Sequence, residues 1–282
     1  MTVEVPHIVT DSTADLPPEV ARRLDITVIP CQIQMGGRTY LDGVDITRPQ
    51  LYQHMRRGGA LTTSQPPVGI FADTYRRLLA DGRPLVAVHL GSSLSGLYST
   101  ACLGAQEVDS SRITVVDSGQ ASMCTGWLAI QAAEAAQQGR TAAEIVREAR
   151  RQAPQLRLLA VIDDLRYLHR GGRVSWASSL LGNLLAIKPI VLVQEGQVRL
   201  LEKVHSWSRG IERVAALAAA AGQFLRLAVL HTDAAESAVA LADRMGAFFP
   251  RERILIGEAG VTVAAHAGVG AVGVACLLAG AR

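Results

Sequence analysis

Aromatic side chains are scarce: Phe, Trp and Tyr make up 4% of the 282 residues, against 49% hydrophobic residues overall. The interior must therefore be aliphatic, built mainly from Leu, Val, Ile and Ala, and the chain is long enough for one large domain or two modest ones. Cysteine is sparse as well. Cys31, Cys102, Cys124 and Cys276 stand far apart with no CxxC pair, which argues against a metal cluster or a disulfide framework and fits a reducing cytoplasm. An excess of charge of one sign is lacking: 28 Lys and Arg against 25 Asp and Glu give a net charge of +3, too small a surplus to point to nucleic acid. The opening Met1-Thr-Val-Glu-Val-Pro6 has neither a basic stretch nor a long apolar run, so secretion is not expected. HExxH, Walker A and kinase-type metal-binding sets are missing too, and no metal or cofactor is expected.

One uncharged stretch, Ala259 to Ala281, has the length of a membrane span. Five glycines and His266 interrupt it, so the expectation is a buried strand, a Gly-rich turn and a closing helix, with no integral membrane span. Elsewhere short β-branched runs alternate with Ala/Leu-rich helical stretches, the pattern of βαβ units. Strands are predicted at 7–10, 26–35, 85–90, 113–116, 158–162, 189–193, 198–204, 227–230 and 254–257. Gly36-Gly37 and Glu195-Gly196 read as hairpin turns, the second giving the later half some antiparallel character. Helices are expected at 122–138, 141–152, 206–221 and 235–248, with Thr141 and Glu144 forming a capping box. The polar stretch Arg150-Arg-Gln-Ala-Pro154 marks a junction between an N-terminal α/β domain (1–155) and a C-terminal α/β domain (156–282) with some antiparallel strands.

Unusual residues gather where strands run into loops, the place where open α/β sheets bind ligands. Thr10-Asp-Ser-Thr-Ala-Asp-Leu-Pro17 follows the first strand; its hydroxyls could face an anion, or Asp11 and Ser12 could satisfy the turn while Asp15 caps the next helix. Thr62-Thr-Ser-Gln-Pro66 reads as a loop before a helix starting near Val68, either a capping turn or a second pair of hydroxyl donors. Gly91-Ser-Ser-Leu-Ser-Gly96 places Ser95 where a helix should begin, as an N-cap or as a donor to an anion at the positive helix end. It is not a nucleophile elbow, because G-x-S-x-G would need glycine at position 95. Gly268 to Gly273 matches G-x-G-x-x-G, but the chain stops too soon afterwards to supply the acidic ribose ligand, so dinucleotide binding is not expected. His266, expected at the end of an apolar strand just before a helix N-terminus, is either a packing residue or a partner for a carboxylate. The stretch Asp163 to Ser175 carries Arg170 and Arg173, which could bind phosphate, dock a partner or lie in solvent.

Taken in order, these stretches resemble the DegV family of bacterial proteins over nearly the whole chain. The matching pieces are Asp11 to Pro17, Thr63-Ser-Gln-Pro66, Leu94-Ser-Gly96 with Tyr98, Val116-Asp-Ser118, Ala121-Ser122, Leu165 with Tyr167-Leu168, Gly171-Gly-Arg173-Val-Ser175, Ile187-Lys-Pro189 and His266-Ala-Gly268. The resemblance implies a fold of two α/β domains with a ligand buried between them. The implied function is to hold one long-chain fatty acid, palmitate-like, and to deliver it to a partner, the catalytic subunit of a fatty acid kinase, which phosphorylates the carboxylate. The chain itself would be a lipid-binding carrier and not an enzyme. Carried over residue by residue, Thr63 and Ser95 would hydrogen-bond the carboxylate with His266 beside them, and Arg170 and Arg173 would lie at the pocket mouth or face the kinase. The sequence departs from the family at Gly91, Leu97, Ala265 and Val269, where Ser, Thr, Thr and Pro are common. Two other readings of the residues are a hydrolase using Ser95 and His266 with Asp11 or Asp117 as orienter, and a phosphotransfer enzyme using Ser92, Ser95 and Arg173.

Overall fold

The computed structural model describes residues 4–174, 176–177 and 187–280. Ser175 and the opening tripeptide, both used above, lie outside the described residues. The first half builds a parallel sheet from β1 (His7–Asp11), β2 (Ile26–Ile29), β6 (Leu85–His89) and β7 (Ile113–Asp117), in the order β2-β1-β6-β7. A small antiparallel sheet sits beside it, made of β3 (Gln32–Met35), β4 (Arg38–Leu41) and β5 (Leu61–Ser64). The predicted strand 26–35 is therefore two strands in two sheets. Pro30 between them has no N–H to give a ladder, and the chain changes sheet there. Thr62 and Thr63, expected in a loop, lie on β5, opposite Gln34 and Ile33; three consecutive polar residues on a short, half-buried strand carry no apolar signal.

Helices α1 (Pro18–Arg23), α2 (Arg48–Arg56), α3 (Val68–Leu78), α4 (Leu97–Val108), α5 (Met123–Gln137) and α6 (Ala142–Gln152) complete this half. Both sides of the Thr141/Glu144 capping box form at the start of α6. Helix α5 is buried around most of its circumference, as a helix wedged between two layers must be. Its Met123, Leu128 and Ala132 share a core with Val86 and Val88 on one side and Ala228, Leu230, Ala275 and Leu277 on the other.

The second half contributes β8 (Leu156–Val161), α7 (Leu165–Gly171), β9 (Lys188–Gln194), β10 (Gln197–Val204), α8 (Trp207–Ala220), β11 (Phe224–His231), α9 (Ala235–Met245), β12 (Leu255–Glu258), α10 (Val261–Ala267) and β13 (Val272–Leu278). Its sheet runs β10-β9-β8-β13-β11-β12 and is antiparallel except for β11 and β12. The βαβ pattern thus describes the first half and one strand pair of the second. The Glu195-Gly196 turn closes the β9–β10 hairpin as expected.

The C-terminal segment reverses the expected order: a helix, α10, precedes the Gly turn, and a strand, β13, follows it. Val272–Leu278 is buried at every position, so it has the continuous apolar run of a central strand and lacks the alternation that would have identified it. Gly268 and Gly270 take positive φ and turn the chain from α10 into β13, so the glycine pattern opens a strand and not a helix. Among the described residues, no helix is long and apolar enough to cross a membrane.

Candidate functional site

Strand alternation creates the site's aliphatic wall. On β8, Leu159 and Val161 face the core under α8 and α9, while Leu158 and Ala160, with Ile162 just beyond, face the other way. On β9, Ile190 packs in that core and Val191 and Val193 point opposite. The second face of β8, β9 and β10 is not filled by α5. It borders a cavity of about 180 Å³, closed on the far side by loops at the carboxyl ends of the parallel strands: Thr13 after β1, Leu94 and Ser95 after β6, and Ala121 after β7. The cavity's third side is α10, presenting Thr262, Val263, His266 and Ala267.

At one end the wall becomes polar. Thr63 on β5 meets His266 on α10, Oγ1 to Nε2, at 2.8 Å. Ser95 lines the same cavity; its Oγ accepts the Leu97 N–H at 3.2 Å, which leaves the hydroxyl proton to donate. Thr63, Ser95 and His266 are thus brought together from three distant parts of the chain. His266 is held differently from the expectation. It stands in the last turn of a helix instead of before one, so no helix N-terminus reinforces it. Burial, then the nearby Arg173 guanidinium, pushes its pKa down to about 4, which leaves a neutral ring at neutral pH. Its buried Nδ1 has no hydrogen-bond partner among the described residues. Gly171 makes room for the ring, because a Cβ there would come within 2.5 Å of Nδ1.

Arg173 donates to the Gly171 carbonyl at 2.7 Å and lines the inner cavity. With exposed Arg170 it also lines an outer recess of about 440 Å³, which shares Thr63, Arg173 and His266 with the cavity. The Thr63–His266 pair therefore sits at a threshold between a greasy interior and a basic opening.

The loops are held by buried polar bonds. Asp11 accepts from Thr13, the Leu90 N–H at 3.2 Å and His89 at 2.9 Å, and His89 in turn meets the Tyr75 hydroxyl at 3.2 Å. Burial raises the Asp11 carboxyl, but His89 and the other donors outweigh it and hold the pKa below its ordinary value. Asp117 accepts the Ser92 and Gly119 N–H groups. Neither carboxylate orients His266, so the Ser–His–Asp set required by the hydrolase reading does not assemble. Among the described residues, no group of three or more His, Cys, Asp and Glu side chains is arranged to hold a metal.

Contrary to the reading in which Asp15 caps the next helix, Pro17 occupies that place at the start of α1. The buried Asp15 carboxyl instead accepts the Gly260 N–H at 2.7 Å and the Ser122 hydroxyl, while Asp42 accepts the Val261 and Thr262 N–H groups, both at 3.0 Å. These two acids anchor the start of α10 and so fix His266. Burial lifts the Asp15 pKa to about 7, despite the Ser122 and Gly260 bonds. The native state then holds a proton that an unfolded Asp, with a pKa near 3.8, releases, so this contribution to stability is full below about pH 4 and fades as pH rises through 7. His266 acts in the opposite sense: its contribution is present above about pH 6.5 and is lost as pH falls through 4. Asp15→Asn is expected to remove the alkaline loss while leaving the acid limb, read as Tm from pH 4 to 8; an unchanged alkaline slope would show that Asp15 is not its source.

Sequence reasoning missed Thr262, Asp42 and Gly171. Thr262 lies four residues before His266 and would have emerged had the segment been read as a helix. Two of the departures from the family pattern are accommodated: Leu97 is a buried part of the cavity wall and Val269 packs beside the Ile33 and Tyr52 core.

An α/β protein enclosing an aliphatic cavity that ends in uncharged hydrogen-bond donors is built to bind, and its relatives place it more closely. The family model for the DegV family, described as an uncharacterised protein family, matches residues 6–278, and the chain belongs to that family. A DegV domain-containing protein of Streptomyces coelicolor is 38% identical over 271 residues, covering 95% of this chain and 96% of the relative. A DegV family protein from Thermus thermophilus, solved for its fatty acid binding, superposes with a TM-score of 0.90 at 30% identity, covering 97% of this chain and 99% of that one. DegV from Bacillus subtilis, a fatty acid binding protein, gives a TM-score of 0.85 at 29% identity, with coverage of 97% and 99%. The expected mixed α/β fold of this family is the one observed.

Proposed function

We propose that the chain is a cytoplasmic carrier that binds one long-chain fatty acid, with its tail in the cavity and its carboxylate at Thr63, Ser95 and His266. The supporting observation is the continuity of an aliphatic chamber with a cluster of neutral donors at its end. A buried carboxylate must be hydrogen-bonded. Two hydroxyls beside a neutral imidazole satisfy it, while each tail CH₂ removed from water contributes about 0.8 kcal/mol. Domains 1–155 and 156–282 would grip the ligand between them, a division supported by the separate sheets they form.

The resemblance to the family extends the reading to a partner: the carboxylate is presented through the recess lined by Arg170 and Arg173 to a fatty acid kinase, which transfers the γ-phosphoryl group of ATP to give an acyl phosphate and ADP. Catalysis belongs to that kinase. The test of binding is native mass spectrometry of the purified protein. One bound fatty acid, or uptake of one added palmitate, is expected; protein that stays ligand-free in excess palmitate contradicts the proposal. Arg170→Ala is expected to keep palmitate affinity and to slow kinase-dependent phosphorylation, whereas equal loss of both would make Arg170 part of the lipid site.

A further inference from the structure

We propose, resting on the fatty-acid reading, that Thr262 forms a second polar station inside the cavity and selects acyl chains that carry a hydroxyl group in their carboxyl-proximal half. Thr262 is only 7% exposed and lines the cavity; among the described residues its Oγ1 makes no hydrogen bond of full geometry, its polar side-chain neighbour being the weakly bonding Cys31 thiol. Buried hydroxyls are rarely left in that state, and a saturated chain can offer this one nothing. Its backbone N–H is held by Asp42, which fixes the residue in place, while its hydroxyl, beside a thiol that is only a weak donor and acceptor, can still bond a ligand.

Position gives the chemistry of the ligand. Thr262 and His266 lie four residues apart on one face of α10, about 6 Å along its axis. A chain whose carboxylate meets His266 therefore passes Thr262 within its first half. The Asp42 carboxylate already holds the Thr262 N–H, the Thr13 hydroxyl is committed to the Asp11 carboxylate, and burial holds the Cys31 thiol, beside Thr262, in its neutral form. The facing wall of Leu158, Ile162, Val191 and Val193 offers no polar group. A neutral hydroxyl suits this niche, and a second carboxylate does not.

The experiment measures the affinity of palmitate and of monohydroxypalmitates bearing the hydroxyl at successive carbons. At least one isomer substituted in the carboxyl-proximal half is expected to bind about tenfold more tightly than palmitate, the effect of one added hydrogen bond. Thr262→Val should abolish that preference, read as the ratio of hydroxypalmitate to palmitate affinity in the same variant with thermal unfolding reporting an intact fold, and Thr262→Ser should keep it. Should Val not fold, Thr262→Ala is read in the same way. Palmitate binding with no preferred isomer, or a preference that survives loss of the hydroxyl, overturns this inference alone. Failure of every acid to bind overturns the fatty-acid reading along with it.

Discussion

Replacing Thr63 and Ser95 together by Ala is expected to weaken palmitate binding by at least about 100-fold with little change in Tm. Each hydroxyl donates one bond to a charged acceptor, an interaction worth about 1.5–3 kcal/mol, and loss of both leaves the carboxylate facing only His266. Folding is spared because neither side chain supports the core: among the described residues, the Thr63 hydroxyl bonds only the His266 ring and the Ser95 hydroxyl only the Leu97 N–H. Single variants should each show part of the loss. Calorimetric titration checks this, with thermal unfolding alongside. Wild-type affinity in the double variant would move the head group elsewhere in the cavity.

The second large effect concerns the tail. Ala160 occupies the middle of the cavity-facing row on β8, between Leu158 and Ile162. Ala160→Phe is expected to fill that space and cut palmitate affinity by about 200-fold, because excluding about four methylenes at roughly 0.8 kcal/mol each forfeits about 3 kcal/mol. Short acids that reach only the threshold should bind the variant as they bind the wild type. The ring projects into the cavity and not into packed side chains, so the overpacking penalty, about 1–3 kcal/mol in a filled core, should be small. Equal affinity of variant and wild type for palmitate would show that the tail takes another path. The two variants separate the head and tail contributions, which a single loss of binding cannot do.

Most strands and long helices were legible because their signals are local. The capping box at Thr141, the Glu195-Gly196 turn and the apolar runs of β1, β6 and β7 each lie within a few residues. What escaped depends on distant partners. β13 carries no alternation because both of its faces are covered, one by α5 and one by α8 and α9. α10 is seven residues long and reads equally well as a strand until Asp15 and Asp42, more than 200 positions away, are seen to hold its first N–H groups. β5 was hidden by its polarity, since only pairing with β3 makes it a strand. For the site, the sequence supplied Thr63, Ser95 and His266 through the family resemblance, and no local pattern joins residues so far apart. It could not supply Thr262 or Gly171, whose roles arise from what they face: an unfilled cavity in one case and an imidazole ring in the other.

The most direct measurement is a crystal structure of the protein with palmitate. The account predicts carboxylate oxygens within hydrogen-bonding distance of Thr63 and Ser95, with the chain running past Thr262 along Leu158, Ile162 and Val191. A carboxylate pointing the other way, or an acid bound outside this chamber, would contradict it.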